Sequence, residues 1–419
     1  MLIPTKHAMK PLLLLAASLI AFSPPVAAQP ATAPTAPAAA GDESDWLAAL
    51  RSGKLSLHLR ARWEHADQDG LRASDALTLR TRLGYTTAPF QGFTLSGEFE
   101  DVTALDDNAY NQAGLNPGGA GRTVIADPET TEVNQVWLGY TVDNIALKLG
   151  RQRLVFDNHR FVGDVGWRQN MQTFDAVSVQ DRTLGKLTLN YAYLWRINRV
   201  FGREHPQGRW DSDSHLINAS YAGLPVGTLT GYAYLLDFDD AAENSSATFG
   251  LSLAGSRESG GGFTMSYRAE YATQSDYGSN LRDYRADYLL GEVGAGTEML
   301  GGAIGYEVLG TDDGFGLRTP LATQHAFNGW GDLFLTTPGD GLRDFYLKAT
   351  ATFPRGWSAA AFFHRFESDR GRDLGDEWDL LVSWKINKQF TALAKAAVFE
   401  SDSTLPDVTK FWAQVEFAF

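Results

Sequence analysis

The chain of 419 residues contains no cysteine. Disulfides and thiolate metal centres are therefore excluded, whichever compartment the protein occupies. Beyond the first thirty residues there is also no apolar stretch approaching the roughly 18 residues that a transmembrane helix needs. If the chain enters a membrane, it must do so as a closed barrel, because only closure satisfies every strand backbone group in lipid. Net positive charge is missing too. A formal charge of -14 argues against nucleic acid as a partner, although net charge says little about the local field inside a pore. What is present is 42 glycines and 12% aromatic residues. Glycine serves turns and crowded lumen positions, and Trp and Tyr favour bilayer interfaces.

At the front, Lys6 and Lys10 precede the apolar run from Pro11 to Phe22, and Val26-Ala27-Ala28 offers the small residues a signal peptidase needs. Residues 1–28 read as a secretory signal. The Ala/Pro-rich residues that follow have too little varied apolar surface to pack, so 29–53 reads as a flexible periplasmic leader. Within it, Trp46, Leu47 and Leu50 have the spacing of one short amphipathic helical turn.

From residue 54 to 419 the pattern is alternation. Leu55, Leu57, Leu59, Ala61 and Trp63 interleave with Ser56, His58, Arg60, Arg62 and Glu64, and Phe345, Leu347, Ala349 and Ala351 with Asp344, Tyr346, Lys348 and Thr350. About eighteen such segments occur, an even number as bacterial single-chain barrels require. Short connections, as at Val142-Asp143-Asn144, Gly294-Ala295 and Pro354-Arg355-Gly356, alternate with longer ones near 104–130, 155–172, 198–212 and 309–341. That pairing of tight turns with long loops indicates an all-β transmembrane antiparallel barrel, with periplasmic turns, extracellular loops and both termini periplasmic. The closing segment agrees. Phe411, Ala413, Val415, Phe417 and Phe419 share one parity and Trp412, Gln414 and Glu416 the other, which assigns the first set to lipid and the second to the lumen.

Charges on the lipid face would cost about 2 to 4 kcal/mol each near the midplane, so the charged parity belongs inside. The resulting lumen candidates include Arg60, Arg62, Arg80, Arg82, Lys148, Arg196, Arg268, Arg285, Lys348, Lys385 and Lys395, with Glu64, Glu98, Glu100, Glu270, Asp287, Asp344, Asp379 and Glu416 as acids. The wall is thus slightly basic inside an acidic protein. Some of these charges pair into ladders that brace the wall. An arginine-rich constriction would also select anions, because guanidinium forks bind carboxylates bidentately and fields in a pore are poorly screened.

The segments Gly150-Arg151-Gln152-Arg153-Leu154, Asn158-His159-Arg160-Phe161-Val162-Gly163, Gly166-Trp167-Arg168-Gln169-Asn170 and Gln172-Thr173-Phe174-Asp175-Ala176 resemble the bacterial alginate-export family of outer-membrane proteins. The resemblance implies an eighteen-stranded monomeric barrel with an electropositive lumen through which an acidic polyuronate leaves the cell. It also implies the bacterial outer membrane as location. Read as residues, the block is too polar for lipid. With Arg151, Arg153, Arg160 and Arg168 set among Asp157, Asp164 and Asp175, it suits a loop folded inward to line a constriction. Phe161 and Trp167 would anchor it, or offer a stacking platform for a sugar ring.

Other constellations carry less. Asp237, Asp239 and Asp240, or Asp106, Asp107 and Asn108, present oxygen ligands without the spacing of a complete calcium site, so they read as solvated loops. Ser212, Ser214 and His215 lie close in sequence, but a nucleophile and its base must meet in space. The expectation is therefore a channel and not an enzyme, with no cofactor. Its cargo would be an acidic polysaccharide, or alternatively small organic anions, and a hydrolase is the remaining reading. Its neighbours would be outer-membrane lipid and lipopolysaccharide, and the barrel-assembly machinery through the C-terminal strand.

Overall fold

A computed structural model describes residues 46–419. The expected signal segment and most of the leader lie outside the described residues. Alternation becomes strand throughout: β1 Lys54–Gln68, β2 Ser74–Thr86, β3 Phe93–Ala104, β4 Thr130–Val142, β5 Ile145–Gln152, β6 Thr173–Asp181, β7 Leu187–Asn198, β8 Arg209–Leu224, β9 Gly227–Leu236, β10 Ser246–Ser259, β11 Phe263–Asp276, β12 Arg285–Gly296 and β13 Leu300–Leu309. A two-residue hairpin, β14 Thr311–Asp312 with β15 Phe315–Gly316, interrupts the wall. It then continues as β16 Leu342–Phe353, β17 Trp357–Glu367, β18 Asp373–Lys385, β19 Phe390–Ser401 and β20 Val408–Ala418.

Apart from the hairpin, each strand pairs antiparallel with the next, and β20 returns to β1 with Arg60 opposite Glu416 and Arg62 opposite Gln414. The result is a closed barrel of eighteen strands, without the open edge that lipid would not tolerate. Connections at one end span two to six residues. At the other they reach 25 residues between β3 and β4, 20 between β5 and β6, and 32 between β13 and β16. One turn falls later than its sequence suggested, at residues 297–299, because Gly294 and Ala295 still pair with Ala303 and Gly302. The short helix α1, Trp46–Arg51, packs at the short-turn end, where the Ala88 amide donates to the Ala49 carbonyl (3.0 Å).

Burial is inverted relative to a protein in water. Arg60, Arg62, Glu64 and Arg80 are buried on the inner face, while Leu55, Leu149, Met265, Val293 and Leu380 on the outer face are more than half exposed. Apolar side chains are left outside because the outer solvent is hydrocarbon. Aromatic pairs mark the interfaces. Trp357 and Trp384 stack at 5.0 Å and Phe390 meets Phe417 at 5.1 Å near the short turns, while Trp63, His65 and Phe411 line up toward the long loops.

Candidate functional site: a two-loop plug between a basic and an acidic wall

The inner face carries an excess of basic groups on one side and of acidic groups on the other, with Glu64 and Glu416 among the first and Arg268 and Lys348 among the second. Strands β1 and β2 contribute Arg60, Arg62, Arg80 and Arg82, and the adjoining β19 and β20 add Lys395 and Lys410. Around the ring, β11 to β18 contribute Glu270, Glu292, Glu307, Asp344, Glu377 and Asp379. Alternation alone produces both strips, since every second residue of a strand faces the lumen.

Residues 153–172 and 310–341 fold inward between these strips. On the basic side the arginines bind the backbone of the first loop. Arg60 Nη1 donates to the carbonyls of Gly166 (3.1 Å), Trp167 (2.9 Å) and Arg168 (3.3 Å), Arg62 Nη2 donates to Trp167 O (2.6 Å), and Arg82 Nη2 to Gln169 O (3.3 Å). On the acidic side the carboxylates receive amides of the second loop. Trp330 N donates to Asp379 Oδ2 (3.2 Å), Gly331 N to Glu377 Oε1 (2.6 Å), and Asn328 Nδ2 to Glu307 Oε2 (2.6 Å). Cationic wall thus meets carbonyls and anionic wall meets N–H groups. Both are charge-assisted, the stronger class of hydrogen bond.

The loops also hold each other. Gly163 N donates to Leu321 O (2.8 Å), Thr323 N to His159 O (3.0 Å), and Arg160 Nη2 to Asn328 Oδ1 (3.1 Å). At the centre, Asp332 accepts from Arg168 Nη2 (2.7 Å) and Lys410 Nζ (2.9 Å), with His325 Nδ1 at 2.6 Å. Burial alone would raise its pKa, but His325, Lys410 and Arg168 hold its carboxyl well below the usual carboxylate range. A third loop joins through Asp127, which pairs with Arg62 (3.3 Å) and accepts from Gln169 N (2.8 Å). Phe161 packs on Tyr232 and Tyr288 (5.3 and 5.2 Å). Trp167 stacks on His325 (4.9 Å), with the Lys395 ammonium 4.1 Å from its ring. Phe161 therefore anchors the first loop on the wall, Trp167 packs between the second loop and the wall, and Lys395 Nζ lies 2.6 Å from His325 Nε2.

The candidates read from the sequence fall into three groups. Arg60, Arg62, Arg80, Arg160 and Arg168 are buried, Arg160 on Glu307 (2.8 Å) and Arg168 on Glu64 (3.2 Å). They clamp the plug in this conformation. Arg82 with Glu100, Arg268 with Glu270 (2.6 Å), Glu98 with Asn134 (2.6 Å), Lys148, and Lys348 face the lumen as expected. Arg153 pairs with Asp164 in the first loop, with its own side chain largely exposed.

The third group faces outward and is a correction. Arg196 was assigned to the lumen on parity, but β7 skips a residue between Leu194 and Arg196, and that bulge turns Arg196 out to pair with Asp211 (2.8 Å). Arg285 and Asp287 share the exposed parity of Leu289, while Ala286 and Tyr288 fill the inside. Arg151 lies on the parity of Leu149, bound twice to Asp175 (2.7 and 3.2 Å) near the long-loop rim. Neighbouring residues of a strand point to opposite faces, so Ser214 lies buried inside while His215 stacks outside with Tyr191 and Tyr193. The hydrolase pair does not meet. Among the described residues no three metal-ligating side chains gather; Asp237 instead accepts from Ser279 N (2.8 Å).

Asp127, His325, Asp332, Glu307, Glu377 and Lys410 were missed as partners. Lys410, Glu377 and Glu307 lie on the inward parity of their strands, which could have placed them in the lumen, and Asn328-Gly329 is a turn dipeptide.

Comparison with known proteins places this geometry. No curated protein matches the chain. Among solved structures, the fold is shared with OccAB4 of Acinetobacter baumannii (TM-score 0.70, 12% identity, 88% of this chain and 98% of that one). It is likewise shared with OccK9 of Pseudomonas aeruginosa (0.71, 17%, 88% and 99%) and with OpdK of the same organism bound to vanillate (0.69, 16%, 88% and 99%). OpdK is itself described as an outer membrane protein. The alginate export family model matches residues 53–197, the segment holding the Gly150 to Ala176 block. The resemblance to the alginate-export family thus stands over residues 53–197, and the chain has the closed β-barrel fold of these outer-membrane proteins.

Proposed function

We propose that the channel carries an acidic polysaccharide, alginate or a similar polyuronate, out of the cell, and that the two-loop plug is the gate on its route. The observation that carries this reading is the binding of Arg60, Arg62 and Arg82 to backbone carbonyls of residues 166–169. A peptide carbonyl is a weak acceptor beside a carboxylate, so a polyuronate arriving on the basic wall competes for the same guanidinium forks and displaces the loop. Arg60, Arg62, Arg80, Arg82, Arg160, Arg168, Arg268, Lys148 and Lys348 are the residues assigned to the path. Many weak ionic contacts suit a polymer that must also leave each site.

In this reading the long loops face the exterior, residues 1–28 are removed on export, 29–53 remain in the periplasm, and the barrel works as a monomer among lipopolysaccharide. Assembly proceeds through β20. Passage of small organic anions is the second reading, favoured by the shared fold with the vanillate-bound barrel.

Single-channel recording separates them. Oligouronates added at the short-turn side should block the current and small dicarboxylates should not. Block by dicarboxylates alone would favour the second reading, and cation selectivity would defeat both.

A further inference from the structure

We propose that fixed charge is graded along the barrel axis so that the channel rectifies, passing anions more readily from the short-turn mouth to the long-loop mouth than back. This rests on the reading of the barrel as an anion channel.

The nine connections at the long-loop end contain twenty carboxylates against eleven arginines and no lysine. Removing the residues bound up in the plug, Asp127, Asp157, Asp164, Asp332, Arg153, Arg160 and Arg168, leaves sixteen against eight. Asp106, Asp107, Asp239, Asp240 and Asp313 are exposed there. At the opposite end the balance reverses. The eight short connections carry Arg182, Lys186, Arg355 and Lys388 against Asp143 and Glu298, and Arg51 and Lys54 lie beside them.

The inner wall repeats this order. Lys148 is four residues from the turn at 143–144 and exposed to the lumen, with its ammonium 4.5 Å from the Trp137 ring centroid. Lys348 lies on the inner face six residues before the turn at 354–356, with Glu292 as its neighbouring acid, and Lys385 ends β18 at the turn that follows it. Passing from the short turns outward, a permeating ion therefore meets a basic vestibule, then the plug, then an acidic rim.

Two zones of opposite fixed charge in series make current depend on its direction. The basic zone is rich in mobile anions and the acidic zone in mobile cations. A positive potential on the long-loop side drives anions outward and cations inward, so both collect at the junction and conductance rises. The opposite polarity empties the junction. An anion is thus captured at the basic mouth and, once past the plug, repelled from the rim and not drawn back.

The experiment is current against voltage in a planar bilayer at about 0.1 M and about 1 M salt, where screening lengths are roughly 10 and 3 Å. Orientation is fixed by biotinylating Leu281→Cys, a site 98% exposed at the long-loop end of a chain with no other cysteine, and adding streptavidin to one side. At the lower salt, current with the long-loop side positive should exceed the reverse by roughly twofold, falling to about onefold at the higher salt. Replacing Asp106, Asp107, Asp239 and Asp240 with Asn should bring the low-salt ratio toward one. Symmetric current at low salt, rectification of the opposite sign, or an unchanged ratio in the Asn variant would overturn the grading. The Asp332→Asn barrel, which retains the axial charges and loosens the plug, is recorded in parallel. Absence of conductance from both proteins would contradict the channel reading itself.

Discussion

Asp332 shows how one carboxylate can tie two loops to the wall. Its oxygens meet His325 of its own loop, Arg168 of the other loop and Lys410 of the wall. All four groups are buried. Removing one partner of such a cluster leaves uncompensated buried charge, at a cost of about 3 to 5 kcal/mol. Asp332→Asn should therefore release residues 310–341 without unfolding the barrel. Limited proteolysis should show new cleavage within that loop while the strand content seen by circular dichroism is unchanged. A second residue gives the plug a pH dependence. Burial pushes the Asp157 carboxyl up from 3.8 to about 6, against the attraction of Arg268 and with the repulsion of Glu270. The docked loop then binds a proton more tightly than the released loop, so docking is favoured most below about pH 4 and weakens as pH rises through 6. Open probability should increase between pH 5 and pH 7, and Asp157→Asn should flatten that rise. An unchanged rise in the variant would assign the effect to another group.

At the scale of elements, the turn from Asn328 to Asp332 meets the acidic wall with the Asn328 side-chain amide and with the backbone N–H groups of Trp330 and Gly331. Asn328 and Asp332 have positive φ (55° and 62°), as does Gly329 (82°), and a Cβ on Gly329 would collide with the Glu377 carboxylate. Gly329→Ala is thus strained twice, in backbone and in space. It should raise proteolysis of the same loop, with Gly314→Ala, whose added Cβ meets nothing, as the control for positive φ alone.

Strands and loops were not equally legible. Periodicity of two revealed eighteen strands, the long and short ends and the lumen parity of Arg60, Arg62, Arg80 and Glu416, because each is a local property of the chain. Where a bulge inserts one residue, as before Arg196, parity reverses without any mark in composition, and that side chain was misplaced. The plug was legible only in part. The polarity of residues 150–176 pointed to an inward loop, but its partners at Glu307 and Asp332 lie 130 or more residues away, and no local pattern encodes which distant strand closes beside which.

For the whole molecule, the two walls explain why a lumen with many arginines is not simply a cation-lined tube. In this conformation the central arginines are occupied by the loop they hold, and Arg80 and Arg62 have 0% and 1% of their surface exposed. On the proposed function, anion selectivity and gating depend on the same guanidinium groups. Reversing Arg80 and Arg82 to Glu should do two things at once: release the first loop, raising conductance, and remove the attraction for anions, moving the reversal potential toward cation preference. A wall that merely braced the barrel would show neither.

The most direct measurement of the account is therefore a paired planar-bilayer recording of the native barrel and the Arg80→Glu, Arg82→Glu variant under a salt gradient. The native protein should show low conductance with anion preference, and the variant higher conductance with that preference lost. Equal conductance and equal reversal potential in the two would contradict it.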